Sequence, residues 1–404
     1  MGLRLRMTAT SLAFSLIPFV LVGLFVLLGA RDAIITQAFD QLVSVRDIRK
    51  DKLENFFNNQ QDTMDILLAA AANFQQSAER RLVKVMQGRQ LELERYFQMR
   101  MRQLQIFGKT QMVAEAMDQF TRQVRGDGER GQRVVADRNW QLLADHYDEV
   151  FAPYRDLLGY DDVLLIDADG TIVYTLQRRA DLGQHLDTAS NRGTSLAEGF
   201  NRTLDGQNMV ADFEPYPAAN GEPRSFLLTA VGSATEVQGV LALSLKPAHL
   251  NTQLQIDTGL GETGAVYLVG QLGGVRDFRS APDRAGASGS SELEHFAEEI
   301  ELGLAGEFGV ATSMGMGDHL RLVAYGPVEI PGVHWTLAVA VDLEAVLAPQ
   351  LPGEEQDFFG LFVDSQDVHD VFLVHRDGEV FYSVQQHEEH ETNVFTGQIG
   401  RAHV

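Results

Sequence analysis

The chain has 404 residues, 45% of them apolar, a formal net charge of −23 and no cysteine. That length allows roughly two to four domains, each burying its own core. The charge excludes a nucleic-acid partner, since nothing would neutralise phosphates, and the lack of thiols excludes disulfides, thiolate metal sites and thiol nucleophiles.

Residues 1–6 carry Arg4 and Arg6, and the stretch Thr8–Ala30 behind them is uncharged and dense in apolar side chains. About 20 such residues cross a bilayer core, so 7–30 is read as a transmembrane helix with a cytoplasmic N-terminus. A signal peptide cleaved at Ala30 is the alternative, although its apolar region would run to only about 7–15 residues. Residues 31–404 are then extracytoplasmic. Residues 31–137 read as a long helical region: apolar residues recur at Phe39, Leu42 and Val45, at Leu53, Phe56 and Phe57, and at Met64, Leu67 and Leu68. Leu53-Glu54-Asn55-Phe56-Phe57 is echoed by Leu93-Glu94-Arg95-Tyr96-Phe97, an offset of 40 residues. That is about eleven turns at 3.6 residues each, so both copies share one helical face. A single stalk and a hairpin folding back near Ala69–Ser77 both fit. Gly126–Gly131 reads as a break.

A helix around Trp140–Tyr154 opens a first α+β unit, 138–257. Its clearest feature is a β-hairpin: Val163–Ile166, a turn at Asp169-Gly170, then Ile172, Tyr174 and Leu176 alternating with polar residues. Ser195-Leu196-Ala197-Glu198 reads as a capping box, strands follow at Ser225–Val231 and Val237–Leu245, and Pro247 suits the first turn of another helix. A second unit, 258–349, has strands at Ala265–Val269, Gly309–Thr312, His319–Tyr325 and His334–Val341. A helix at Glu292–Leu304 and a loose segment at Gly270–Ser291 complete it. The first hairpin returns 208 residues later, with Asp377-Gly378 as its turn. A third unit, 350–398, thus begins and stops after one hairpin. Residues 399–404, Ile-Gly-Arg-Ala-His-Val, are encoded by ATC GGA AGA GCA CAC GTC, which resembles read-through into a sequencing-library adapter. The chain is accordingly expected to be a truncated fragment.

Several phrases in combination resemble the double Cache sensor family, the PAS-like extracytoplasmic domains of methyl-accepting chemotaxis proteins, sensor histidine kinases and membrane-bound cyclases. They are Asp162–Tyr174, Asp181–Leu186, Val210–Tyr216, Gly259–Gly270 and Tyr325–Gly332. The fold implied is α+β: an N-terminal transmembrane helix, a long helical stalk, then tandem PAS-like antiparallel-sheet modules. The function implied is the ligand-sensing portion of a signal transducer in the bacterial inner membrane, crossing once and forming a homodimer. Its partner would be a small molecule or a periplasmic binding protein. A cyclase sensor is the alternative, and no cofactor is expected. Amino-acid-binding members carry an Arg-x-Trp-Tyr cluster where this chain has Asn191-Arg192-Gly193-Thr194-Ser195, so no ligand identity carries over.

Leu165–Thr171 also matches the first motif of haloacid-dehalogenase-like phosphatases, with Asp167 as nucleophile, Asp169 as acid/base and Mg²⁺ between them. A second strand follows at once and the later motifs are missing, so a hairpin turn is preferred. In His387-Glu388-Glu389-His390-Glu391 the histidines stand three apart rather than the four a zinc helix needs, and a solvated loop is the better reading. The favoured ligand site is in the first unit, where Asp212, Phe213, Tyr216 and Arg224 combine an acid, two aromatics and an arginine, with Tyr174 and Arg192 as further candidates. The corresponding strand of the second unit, Gly309–Met316, has neither charge nor aromatic ring.

Overall fold

The computed structural model describes residues 3–126, 137–232, 236–254, 260–261, 263–280, 296–314, 319–350, 353–354, 356–366, 368–385 and 392–395. For residues 3–15, 28, 32–36 and 126 only the backbone is described. The break expected after Gly126, the His387–Glu391 loop and the adapter-like 399–404 lie outside the described residues. Of the expected anchor at 7–30 the side chains of 7–15 and 28 are not described; among the described residues no helix is long and apolar enough to cross a membrane.

The chain divides into two compact units, Met1–Asn73 and Phe74–Val404. Helix α1 runs without interruption over Leu3–Gly108, so no hairpin forms near Ala69–Ser77. In the first unit its apolar positions Phe39, Leu42, Phe56 and Phe57 are all exposed. In the second unit α1 is half-buried, and it stops where it meets a sheet. A Cβ on Gly108 would come 2.8 Å from Cγ2 of Thr229, so only glycine lets the helix approach so closely. After Lys109-Thr110 the chain restarts as α2, Gln111–Gly126. The sequence pattern hides this break, because Lys109 and Thr110 interrupt no apolar stripe. Helix α3, Arg138–Leu158, is capped by the Asp137 carboxylate, which accepts from the Asn139 N–H, and ends at Gly159 in the left-handed region (φ 74°).

The first module is a five-stranded antiparallel sheet of β1 (Asp162–Asp167), β2 (Ile172–Thr175), β3 (Met209–Pro215), β4 (Pro223–Gly232) and β5 (Val237–Leu245), ordered β2-β1-β5-β4-β3. Helix α4, Ser195–Leu204, covers one face, packing Leu196 and Phe200 on Leu164, Ile166, Phe226 and Leu228. Helices α2 and α3 cover the other, where Trp140 donates to the Val173 carbonyl (3.1 Å) and Phe120, Phe151 and Tyr174 cluster. Every residue of β1 is buried, which explains its near-continuous apolar run. Helix α4 departs from the expected capping box. Thr194 is the N-cap, accepting from the Ala197 N–H, while the Ser195 hydroxyl bonds to the Asp212 carbonyl (2.8 Å) and Glu214 Oε1 (2.7 Å). Ser195 is pulled out of the cap by that strand. Helix α5, Pro247–Leu254, follows the sheet as expected.

The second module repeats the topology with β6 (Ala265–Leu272), β7 (Val275–Phe278), β8 (Gly309–Met314), β9 (Leu320–Val328) and β10 (Trp335–Asp342), ordered β7-β6-β10-β9-β8. Helix α6, Ala297–Leu304, packs on the sheet, and α7, Leu343–Leu347, follows it. Strand β7 falls inside the segment expected to be loose. Gly273 and Gly274 both have positive φ (59° and 83°), the geometry of a tight hairpin turn, and glycine abundance masked that turn.

The third segment comprises α8 (Phe358–Gln366), β11 (Phe372–Val374) and β12 (Val380–Ser383). It reproduces the first hairpin down to its side chains. Thr175 bonds Asp162 and Ser383 bonds Asp370, each at 2.7 Å; Tyr174 bonds Asp148 and Tyr382 bonds Asp357, each at 2.6 Å. The returning loop is repeated too, bridging Thr171 to His185 and Glu379 to Asn393. In this segment Phe359, Val363, Val380 and Tyr382 are buried, Phe359 lies against Tyr382 (5.6 Å between centroids), and Phe358 lies edge-on to Phe74 (5.3 Å). Strand β11 pairs only with β12 among the described residues, and its Phe372 and Val374 are exposed. Deleting Gln350–Val404 should therefore leave the thermal midpoint of the two modules within about 3 °C of its starting value and reduce aggregation. Scanning calorimetry checks this; a much larger fall would make the segment integral to the modules.

Candidate functional site

The six sequence-derived candidates do not form one cleft. Asp212 sits on the face of β3 turned away from α4 and is buried. Its Oδ1 accepts from Arg279 Nε (2.7 Å) and Trp335 Nε1 (2.8 Å), and its Oδ2 from the Arg279 terminal nitrogen (2.8 Å). Both partners belong to the second module. Phe213 stacks on Trp335 at 6.1 Å. These two residues join the modules instead of lining the cleft beneath α4: Asp212 follows the α4-facing Ala211 and points away by ordinary alternation, and the β-bulge between Ala211 and Glu214 brings Phe213 to the same side. Gly270 makes the join possible, since a Cβ there would lie 2.6 Å from Arg279 Nε. Tyr174 faces α3 and donates to Asp148. Arg192 is exposed.

Tyr216 and Arg224 remain on the α4 face, within one network of acids and cations. Asp161, Asp162 and Asp181 supply the carboxylates. Asp161 accepts from Arg179 (2.7 Å), Arg224 (2.8 Å) and Lys246 (2.8 Å). Burial opposes its ionisation, but the hydrogen bonds from Lys246 and Arg224 and the charge of Arg179 outweigh that and hold its carboxyl below the usual range. Asp162 accepts from the Val163 and Gln177 N–H groups and the Thr175 hydroxyl. Burial nevertheless pushes it up to about 6, with the Asp181 charge adding to the effect. Asp181 is raised as well, chiefly by burial. Its Oδ2 accepts from the Tyr216 hydroxyl, whereas its Oδ1 is buried with no partner among the described residues. A buried carboxylate oxygen without a donor is a strong demand for one. The network can therefore accept hydrogen bonds from a protonated amine or a hydroxyl, and it holds no activated nucleophile.

No protein-family model matches the sequence, and neither does any curated protein. Comparison with solved structures gives matches. The likeness is to ligand-binding domains of chemoreceptors. The amino acid chemoreceptor PctB of Pseudomonas aeruginosa, in complex with L-Gln, is 15% identical with a TM-score of 0.43, covering 67% of this chain and 93% of that one. Chemoreceptor CtaA of Pseudomonas fluorescens with L-serine is 14% identical, TM-score 0.42, covering 66% and 98%. Chemoreceptor Tlp3 of Campylobacter jejuni with L-norvaline is 11% identical, TM-score 0.43, covering 70% and 96%.

Sequence reasoning missed Asp161, Asp162 and Asp181 as site residues, and Arg279 and Trp335 as partners of Asp212. Two adjacent acids directly before an apolar strand were the available sign for the first pair, because the strand drags at least one inside. The remaining contacts join positions far apart in the chain, and no local pattern marks them.

Asp167 is also accounted for. Its Oδ1 accepts from the Asp169 and Thr171 N–H groups (3.1 and 2.9 Å), and its Oδ2 pairs with Arg125 at 3.1 Å. The carboxylate is consumed in closing the hairpin turn and is buried. Among the described residues no group of acids and histidines could hold a metal ion.

Proposed function

We propose that the chain is the extracytoplasmic ligand-sensing portion of a membrane-anchored bacterial signal transducer of the chemoreceptor or sensor-kinase type. The stretch 7–30 is its anchor, and it works as a homodimer. A small molecule, or a periplasmic binding protein, engages the first module beside Asp181, Tyr216 and Arg224. The observation that supports this reading is that α1 packs on both modules. Phe97 lies edge-on to Trp335 at 5.5 Å, the Glu329 N–H donates to Glu94 (3.0 Å), and Gly108 abuts Thr229. Any ligand that prefers one packing of the first module thus biases the position of α1, and the bias equals its difference in affinity for the two states. A phosphatase built on Asp167 is disfavoured, since attack would require abandoning the turn and the Arg125 pair.

Thermal-shift screening of the full chain in detergent against amines, amino acids, carboxylates and nucleobases should return a stabilising compound. Asp181→Asn should weaken it about ten- to a hundredfold, the loss of roughly 1.5–3 kcal/mol expected for a charged hydrogen bond. A hit unaffected by Asp181→Asn and Tyr216→Phe would remove the site from this face. Mg²⁺-dependent phosphate release abolished by Asp167→Asn would favour the enzyme instead.

A further inference from the structure

On the opposite side of the first module a second set of polar groups gathers where α1, the end of α3 and α5 meet. Arg100 on α1 lies between two aromatic rings, its guanidinium carbon 5.0 Å from the Tyr96 centroid and 5.8 Å from that of Tyr160. Tyr154 is held beside them by stacking on Phe107 at 4.0 Å. Among the described residues Arg100 makes no ion pair, and its buried Nε has no hydrogen-bond partner. The hydroxyls of Tyr154 and Tyr160, and the acceptor Oε1 of Gln103, are likewise buried and unpartnered among the described residues. Tyr160 itself is only 5% exposed. His249 on α5 completes the set. Burial, assisted by the Arg100 charge, lowers its pKa, and its ring hydrogen-bonds the Leu158 backbone, so at neutral pH it adds no second positive charge. Burial also keeps the tyrosines protonated, Tyr154 being pushed up to about 12, so their hydroxyls remain donors.

The Arg100 charge and the two tyrosine hydroxyls, with no acid paired to them among the described residues, make an arrangement that an anion would relieve by supplying an acceptor. Beside it, one turn back along α1 and one turn on along α5, lies a groove of about 330 Å³. Its walls include Arg89, Glu92, Arg95, Tyr96, Met99 and Leu254, and there Glu92 is paired with Arg89 at 2.7 Å. Tyr96 and Arg100 are four apart on α1, as are His249 and Gln253 on α5, so Tyr96 borders both the groove and the polar cluster. The volume suits a small molecule, and Tyr96, Met99 and Leu254 give it an apolar wall.

We propose that the α1–α5 seam binds a small organic carboxylate, its anionic head on Arg100, Tyr154 and Tyr160 and its apolar body in the groove. This site is separate from the Asp181 network and of opposite charge preference, and it sits directly on the helix that both modules share.

The test uses the full chain in detergent with butyrate and benzoate as probes, and butylamine and inorganic phosphate as comparison arms, read by calorimetric titration. The carboxylates should bind, and the amine should not. Arg100→Gln should weaken carboxylate binding about ten- to a hundredfold, and Tyr160→Phe, which keeps the ring, about tenfold. Arg102→Gln, at an exposed neighbouring position, should leave it unchanged. Asp181→Asn should also leave it unchanged, which separates failure here from failure of the amine-accepting site. If Arg100→Gln does not fold by circular dichroism, Tyr160→Phe alone decides. No carboxylate binding up to about 10 mM, binding of phosphate alone, or carboxylate affinity untouched by Tyr160→Phe would each overturn the assignment.

Discussion

Replacing Asp212 by alanine should destabilise the folded chain by about 3–5 kcal/mol, because it strands a buried guanidinium. Asp212 and Arg279 are 2% and 3% exposed, and the carboxylate also holds the Trp335 indole N–H. Arg279→Ala should cost a similar amount by stranding the carboxylate instead. The double replacement Asp212→Leu with Arg279→Met should recover most of the loss, since two buried charges gain little over well-packed apolar groups. Urea unfolding of the full chain measures all of these. Because the pair is a buried ion pair between the modules, which the Val210 N–H to Pro331 carbonyl bond (2.9 Å) also joins, the single variants should also split one transition into two. A cost below about 1 kcal/mol for Asp212→Ala would mean that the modules are held together without it.

The second large effect is a loss of stability on raising the pH. The Asp162 carboxyl titrates at about 6 in the folded chain against an ordinary 3.8, so the native state binds its proton more tightly than the unfolded state does. For an acid shifted upward, the stabilisation is complete below about 3.8 and disappears as the pH rises through about 6. About two pH units at 1.36 kcal/mol each give a decline of about 3 kcal/mol. Asp181 is shifted in the same sense and adds to it, whereas Asp161, shifted downward, loses its contribution only under more acid conditions. Urea midpoints recorded from pH 4 to 7 should fall across this window, and Asp162→Asn should flatten the fall. A wild-type profile that is level or rising between pH 4 and 6 would rule out burial as the dominant influence on Asp162.

Much of the architecture is legible in the sequence because it is written locally. Asp169-Gly170 marks the hairpin, Gly170 taking φ 92° at the turn, and the strands that flank it announce themselves by apolar alternation. The repeat at 208 residues extends to hydrogen bonds that no propensity could supply, since Thr175 and Ser383 are different residues doing the same job. What is not legible depends on where a face ends up. Asp212 and Phe213 were expected to face α4; Asp212 alternates with the α4-facing Ala211, and a bulge then carries Phe213 to the same side, towards the other module. Arg279, within a stretch that reads as loose, became the most buried cation in the join because β7 positions it. Arg100 gave no sign at all: on a helix rich in arginine, only the tertiary environment of tyrosines sets it apart.

The meeting of Asp212, Gly270, Arg279 and Trp335 also constrains how this chain can have diverged. A side chain at 270 collides with both Arg279 and the Trp335 ring, each 2.6 Å from where a Cβ would stand. Loss of the acid strands the cation, and loss of the cation strands the acid. No single substitution at these four positions is neutral, so inheritance should hold them as a block or replace them as a block. Descendants of a common ancestor in which residue 270 has gained a side chain should have lost the arginine and the aspartate as well, leaving an apolar contact between modules.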